Sequence, residues 1–254
     1  MRTESSAGHT SAAVRTVLEA ELRAARDRGA EQPRVVDVGG GSGSWAVPLA
    51  SQGCLVTVVE PNLDALATLE RRAAEVGVVD RITVVADDCD ALGEHVRPAS
   101  ADLVLAHGLL EVVDDPAAVA AALAQVTAPG GAVSVLVANR HGAVLHRALT
   151  GRLDEARRLL AEPDGVLTHD SETLLRRMDT DGLRGLLAGA GLEVVLIQGD
   201  GVVSDIVPVG TAAETSTQLG SVEHELAEFE AEAAAVPPLR DIAGRLHALA
   251  RRPA

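Results

Sequence analysis

Residues 35–46 read VVDVGGGSGSWA, with Asp37 immediately before a run that holds Gly39, Gly40, Gly41 and Gly43. Glycines at this density let a backbone turn tightly and approach a ligand closely, and a helix that follows adds its first N–H groups. Glu60, 17 residues after Gly43, is a carboxylate that can accept hydrogen bonds from both hydroxyls of a ribose. Asp88, with Cys89 beside it, can accept from an adenine amino group. Further along stand His107, Glu111, Asn139 and His141, residue types that move protons or orient an acceptor. The set describes a site for a nucleoside-containing cofactor with a reacting centre nearby.

Two cofactor classes use such a turn. Gly41-Ser42-Gly43-Ser44-Trp45-Ala46 satisfies the dinucleotide pattern G-x-G-x-x-A, and Glu60 suits the ribose of NAD or of an adenosyl cofactor. Asp37 tips the balance toward S-adenosylmethionine, because a carboxylate beside the turn suits an ammonium group and gains nothing from a pyrophosphate. Asp88 points the same way. An NAD-dependent oxidoreductase, a non-catalytic S-adenosylmethionine-binding protein and a plain strand-to-helix turn stay open on the residues alone.

The elements that must position these side chains alternate. Helical periodicity over about 12–29 precedes the β-run RVVDV (34–38), and the glycine turn leads into a helix over about 43–52. CLVTVVE (54–60) is followed by a helix over 62–76 that Pro61 and Asn62 open, then RITVVADD (81–88) and ADLVLAH (101–107). Asp115 and Pro116 start another helix, and APGG (128–131) is expected to turn the chain into AVSVLVAN (132–139). Short β-runs separated by amphipathic helices predict βαβ units and a parallel sheet. Residues 140–190 read as a helical insertion, LEVVLIQ (192–198) as a further strand, and 219–235 as an acidic helix with Leu226 and Phe229 packed inward, ended by Pro237-Pro238. The expected organisation is one domain over 1–254, with the 140–190 insertion over the acceptor site.

Composition narrows the function. The 254 residues are 47% hydrophobic, so the chain has ample length and apolar content for a core. Trp45 and Phe229 are its two aromatic residues, which leaves few platforms for stacking bases. A net charge of −15 disfavours general nucleic-acid binding, tRNA included. Cys54 and Cys89 form neither a disulfide framework nor a metal-ligand cluster, and His141 and His146 lack the i,i+4 spacing and companions of a zinc site. No metal is expected. The polar start and the lack of an apolar run of about 18 residues predict a soluble cytoplasmic protein, off the membrane. The sequence carries no reading of oligomeric state.

The segments VVDVGGGSG, VVEPN, VVADDCDAL, LVLAHGLLEVVDDP and APGGAVSVLVAN, in that order over 34–139, resemble the successive signatures of class I S-adenosylmethionine-dependent methyltransferases. HGLLEVVDDP followed by NRHGAVLHRALTGRLDEA is similar to the tRNA 5-carboxymethoxyuridine carboxyl methyltransferases within that family. The resemblance implies an α/β, Rossmann-like doubly wound, mostly parallel seven-stranded sheet with helices on both faces and an antiparallel last strand. It places PLRDIAGRLHALARR as that closing strand, from near Arg245, although local propensity would make the stretch helical. It implies that the methionine moiety lies over Gly39, Gly40 and Gly41, with Asp37 and Gly43 in the same turn, the ribose on Glu60 next to Pro61, and adenine by Asp88 and Cys89. It implies His107 near the sulfonium and Arg15 near the cofactor carboxylate. The segment GDGVVSDIVPVG (199–210), basic and aromatic in the tRNA group, has neither character here.

Methyl transfer from a sulfonium is an in-line displacement in which alignment supplies much of the rate. A carboxylate acceptor is already nucleophilic, whereas a hydroxyl needs a base. His107 is the candidate base or a pocket wall. Glu111 would orient the acceptor or start a helix, and Asn139 and His141 would face the methyl group. Arg147, Arg152, Arg157 and Arg158 form either an anion-binding face or a solvated helix surface. The expected reaction is methylation of a carboxylate or hydroxyl oxygen on a small molecule or a modified tRNA uridine.

Overall fold

A computed structural model describes residues 12–167, 176–203 and 216–254, without the side chains of 216–224. The elements run α1 (Ala12–Asp27), β1 (Arg34–Val38), α2 (Ala46–Ser51), β2 (Leu55–Val59), α3 (Leu63–Glu75), β3 (Ile82–Val85), α4 (Leu92–His95), β4 (Ala101–His107), α5 (Pro116–Val126) and β5 (Thr127–Ala138). They continue with α6 (Arg140–Leu149), α7 (Leu153–Ala161), α8 (Thr180–Gly189), β6 (Glu193–Asp200), α9 (Ser216–Ala233) and β7 (Arg245–Arg251). The strands make one sheet of order β3-β2-β1-β4-β5-β7-β6, in which β7 lies antiparallel between β5 and β6 and the first five strands are parallel. This is the expected Rossmann-like sheet with its antiparallel last strand.

The parallel strands read as near-continuous Val/Leu/Ala runs because both of their faces are covered. On one face Val14, Leu18 and Leu22 of α1, with α2 and α3, close over Val35, Val58, Leu103, Leu105 and Leu249. On the other, Leu92, Leu123, Leu183 and Leu187 from α4, α5 and α8 close over Val36, Val104, Val135 and Leu246. Helix starts are fixed locally: Asn62 and Asp115 each accept two backbone N–H bonds at the first turns of α3 and α5, worth about 1 kcal/mol apiece.

The tail settles as β7 despite its helical propensity. Its central residues Leu246–Ala250 are buried and its backbone pairs on both sides, so tertiary burial overrides local preference. The APGG stretch is a bulge inside β5 where a turn was expected. Thr127 pairs with Ala101 while Ala132 pairs with Leu103, so the extra residues loop out at Gly130 (φ +74°) and Gly131. A Cβ on Gly131 would sit 3.0 Å from the carbonyls of Ala101 and Asp102. The inward placement expected for Phe229 is also overturned, since it is 45% exposed. Glu230 takes the inward position, accepting the N–H groups of Val202 and Val203 at 2.8 and 2.7 Å, while Leu226 is half-buried.

Within 140–190 the helices divide. α6 and α7 pack on each other, while α8 belongs to the sheet layer through Leu183 and Leu187. Among the described residues, no helix is long and apolar enough to cross a membrane.

Candidate active site

The strand order reverses between β1 and β4, and in open α/β sheets the crevice beyond the carboxyl ends at that reversal is where ligands bind. Asp37 and Gly39 come from the end of β1, Glu60 follows β2, Asp88 follows β3, and His107 ends β4. The sheet therefore brings the sequence-predicted cofactor residues to one edge.

Asp37 lies 2% exposed, and its Oδ2 is buried without a hydrogen-bond partner. Burial, and then the nearby negative charge of Glu60, push its pKa up to about 7. Gly40 packs directly on it, since a Cβ there would stand 2.7 Å from that oxygen and 2.8 Å from Val58 Cγ1. Gly39, Gly41 and Gly43 adopt φ of +71°, +52° and +78°, which glycine reaches without strain. Leu109 walls Gly39, Leu69 and Val47 pack on Gly43, and Gly41 faces open space. The turn is a cradle whose floor is a buried carboxylate.

Glu60 is half-buried and accepts from Gly41 N–H at 3.0 Å and from Asn62 N–H at 2.9 Å. A carboxylate offers about four lone-pair sites, so two remain for a pair of hydroxyls. Pro61, next in the chain, and Asp88, after β3, are exposed, and Cys89 is buried with its Sγ 3.1 Å from Asp88 Oδ1. Burial and the hydrogen bond to Asp88 push the Cys89 thiol up to about 12. Asp88, Cys89 and Asp90 bring one ligand atom each within 4.8 Å of one another, a grouping the spacing did not suggest. A thiol held protonated is a poor metal ligand. Arg15 is exposed in the first turn of α1.

His107 meets Trp45 edge-on, ring centroids 5.0 Å apart at 81°. Its Nε2 lies 2.8 Å from Ser134 Oγ, and its Nδ1 is buried without a partner. Burial, then His247 and Arg245, hold its pKa well below the usual imidazole value. The other catalytic candidates stand at and just beyond the carboxyl end of β5, the strand next to β4. Glu111 accepts the Ala138 N–H at the end of β5, and burial raises its pKa against that bond and the charges of Arg245 and Arg177. Asn139 caps α6 by accepting from His141 N–H, and its amide donates to the Asp241 and Ala243 carbonyls at 2.9 and 2.8 Å. His141 lines a cleft of about 230 Å³ with Asp179, Thr180, Asp181, Arg240 and Asp241. Arg147 and Arg152 both pair with Glu155, while Arg157 and Arg158 are exposed on α7. In the segment 199–210, residues 204–210 lie outside the described residues.

The sequence reading missed Ser134, His247 and Gln198. Each is a buried polar residue with apolar neighbours on the helix-covered face, Ser134 between Ala132 and Leu136, His247 next to Leu249 and Gln198 next to Leu196, inward of the charged Arg245, Arg251 and Asp200 at the ends of β7 and β6. A buried polar residue needs a partner, and that is the signal that could have found them.

A family model described as a methyltransferase domain matches residues 11–197. The tRNA 5-carboxymethoxyuridine methyltransferase of Escherichia coli (strain K12) is 30% identical over 132 residues, 52% of this chain and 50% of that protein. A ubiquinone biosynthesis O-methyltransferase of Xylella fastidiosa (strain M23) is 34% identical over 168 residues, 65% of this chain and 63% of that protein. The chain thus spans about half to two thirds of the length of the curated relatives it matches. Among solved structures, an SAM-dependent methyltransferase from Methanosarcina mazei aligns with a TM-score of 0.60 at 17% identity, covering 88% of this chain and 93% of that one. Magnesium protoporphyrin IX methyltransferase from Synechocystis PCC 6803 with bound SAH aligns at 0.57 and 15%, covering 94% and 83%.

Proposed function

This chain belongs to the methyltransferase-domain family, and from that premise we propose that it transfers a methyl group from S-adenosylmethionine to an oxygen of its acceptor, a carboxylate oxygen by preference. The observation that carries the reading is the buried Asp37 carboxylate under the Gly39–Gly41 turn, with Oδ2 unpartnered and Gly40 leaving no room for a side chain above it. An unpaired buried carboxylate is costly, and an ammonium group at the turn offsets that cost. A dinucleotide's pyrophosphate would instead be repelled.

When bound, the cofactor supplies an electrophilic methyl group on a sulfonium. In this reading the open side of Gly41 admits the amino-acid end, Asp37 binds its ammonium, and Arg15 approaches its carboxylate. The two free acceptor sites of Glu60 hold the ribose hydroxyls next to Pro61, Gly43 lets α2 begin at the cradle, and Asp88 takes the adenine amine with Cys89 behind it. His107 and Trp45 wall the reacting side. Glu111 and Asn139 act as braces, holding the end of β5 and the start of α6, which with His141 and α7 border the acceptor side. A carboxylate acceptor asks least of this arrangement, because it arrives ionised and needs only to be aligned.

Relatives named for 5-carboxymethoxyuridine in tRNA and for ubiquinone biosynthesis give the acceptors to try. The net charge of −15 favours a small molecule over tRNA. Incubation with S-adenosylmethionine and, separately, free 5-carboxymethoxyuridine, tRNA bearing it, and small carboxylic acids and phenols should yield S-adenosylhomocysteine with a carboxylate. Tight NADH binding with no S-adenosylmethionine binding would overturn the assignment.

A further inference from the structure

Four polar side chains on neighbouring strands form a buried line that ends at the candidate site. Gln198 (β6) and His247 (β7) stand opposite each other in the antiparallel ladder, with Gln198 Nε2 3.1 Å from His247 Nδ1. His247 Nε2 is 2.8 Å from Ser134 Oγ (β5), and Ser134 Oγ is 2.8 Å from His107 Nε2 (β4). Leu136 pairs with both His107 and His247, so Ser134, two residues back on the same face, bridges the two imidazoles. Ser134, Gln198 and His247 are all buried. Burial keeps both rings neutral, holding His247 at about 4 and His107 below the ordinary imidazole range, so each ring carries one N–H.

A chain of neutral rings and a hydroxyl has two self-consistent polarities, and its outer end selects between them. The Gln198 amide nitrogen can only donate. It therefore makes His247 Nδ1 an acceptor and puts the His247 proton on Nε2, where it donates to Ser134 Oγ. The Ser134 hydroxyl must then donate to His107 Nε2, which places the His107 proton on Nδ1, the one atom of the line that is buried without a partner.

We propose that Gln198, His247 and Ser134 are positioning residues that lock His107 as the Nδ1–H tautomer, making it a hydrogen-bond donor to an oxygen of the bound ligand and not a general base. Resting on the methyl-transfer reading above, this assigns the site an acceptor that needs no deprotonation, a carboxylate. The unpaired Nδ1–H is a buried donor left unsatisfied in the free protein. A donor aimed at the acceptor's non-attacking oxygen would use that atom, while a hydroxyl acceptor would find no base in His107.

The test is imidazole ¹⁵N NMR of the full chain, with His107 identified among the eight histidines by comparison with His107→Gln. The wild type should show His107 protonated at Nδ1 and bare at Nε2, with His247 the reverse. Glu at position 198 accepts where Gln donates, so Gln198→Glu should invert the line and move the His107 proton to Nε2. Ser134→Ala should release the lock and mix the two tautomers, and Ser134→Thr, which keeps the hydroxyl, should restore it. A wild-type His107 protonated at Nε2 overturns the proposal, and this measurement does not depend on either relay variant, Ser134→Ala or Gln198→Glu. An unchanged His107 spectrum in both folded variants, Ser134→Ala and Gln198→Glu, overturns the relay. Titration of S-adenosylhomocysteine into the same samples by calorimetry keeps the two readings apart. Binding with the wrong tautomer sinks this inference alone, and the right tautomer without binding sinks the methyl-transfer reading.

Discussion

Asp37→Asn separates a carboxylate kept for binding from one that serves the fold. An unfolded Asp titrates near 3.8 and Asp37 in the fold near 7. The native state therefore holds a proton that the unfolded chain has released across that window, and stability falls as pH rises through it, levelling above about 7. About three pH units at 1.36 kcal/mol each make about 4 kcal/mol of lost stability at pH 8. Asparagine carries no such charge, but its amide nitrogen inherits the unpartnered place of Oδ2 at a cost of about 1–3 kcal/mol. The variant should gain about 1–3 kcal/mol at pH 8 and lose about 1–3 kcal/mol at pH 4, which for a chain of this length raises the melting temperature by roughly 2–10 °C at pH 8 and lowers it by as much at pH 4.

Binding should respond with the opposite sign. Losing a charged partner for the ammonium costs about 1.5–3 kcal/mol, so S-adenosylmethionine should bind Asp37→Asn about 10- to 150-fold more weakly. Wild-type affinity should itself fall as pH drops below about 7, because protons compete for the same oxygen. Thermal melts from pH 4 to 8 and calorimetry in two buffers of different ionisation heat read both effects. A melting difference between variant and wild type that does not change with pH would refute the reasoning, as would binding that the substitution leaves intact.

The Glu60 charge helps raise the Asp37 pKa, so Glu60→Gln should move the Asp37 pH window downward in melts while weakening S-adenosylhomocysteine about tenfold or more by calorimetry. Gly40→Ala drives a methyl group to within 2.7 Å of Asp37 Oδ2 and 2.8 Å of Val58 Cγ1, and should cost about 1–3 kcal/mol in denaturant unfolding together with most cofactor affinity. Gly142→Ala is the control away from the cradle: its Cβ would collide with the Ala243 carbonyl oxygen. That is backbone, so the variant should lose more stability than Gly40→Ala. The Cys89 thiol, raised to about 12, exposes only about one part in 10⁴ as thiolate at pH 8, so iodoacetamide should label it slowly in the native protein and fast in denaturant.

The residues of the cradle were legible because close backbone approach and a carboxylate at a strand end leave local marks in sequence. Asp37, Gly39–Gly43, Glu60 and Asp88 each stand at a β-run's end, and a parallel sheet with a reversal in strand order brings such ends together without further information. What stayed hidden depends on partners remote in the chain. β7 is placed as a strand by resemblance against a local helical propensity that its two neighbours override by burying it, the APGG bulge depends on the register with β4, and Phe229 yields its place to Glu230 because two N–H groups of the 202–203 loop need an acceptor. Asn139 and His141 looked free to serve chemistry, yet the side-chain oxygen of Asn139 accepts the His141 N–H as the α6 cap and its amide donates to carbonyls about a hundred positions later.

Asp37 and His107 also bear on one another. In the ladder Asp37 pairs with Leu105, so His107 lies two residues further toward the carboxyl edge on the same face, beside Trp45 at the start of α2. Each holds a buried polar atom without a partner, and the two deficits are of opposite kind, one an acceptor and the other, on the proposed polarity, a donor. A site shaped only by folding would have filled these positions with Val or Leu, as at Val35 and Leu103 on the same strands, at no electrostatic cost. Two complementary deficits at the topological reversal match a ligand that brings a cation to β1 and an oxygen to β4. An amino-acid-bearing cofactor beside a carboxylate acceptor has that charge order, and a dinucleotide with its anionic centre over the turn has the reverse.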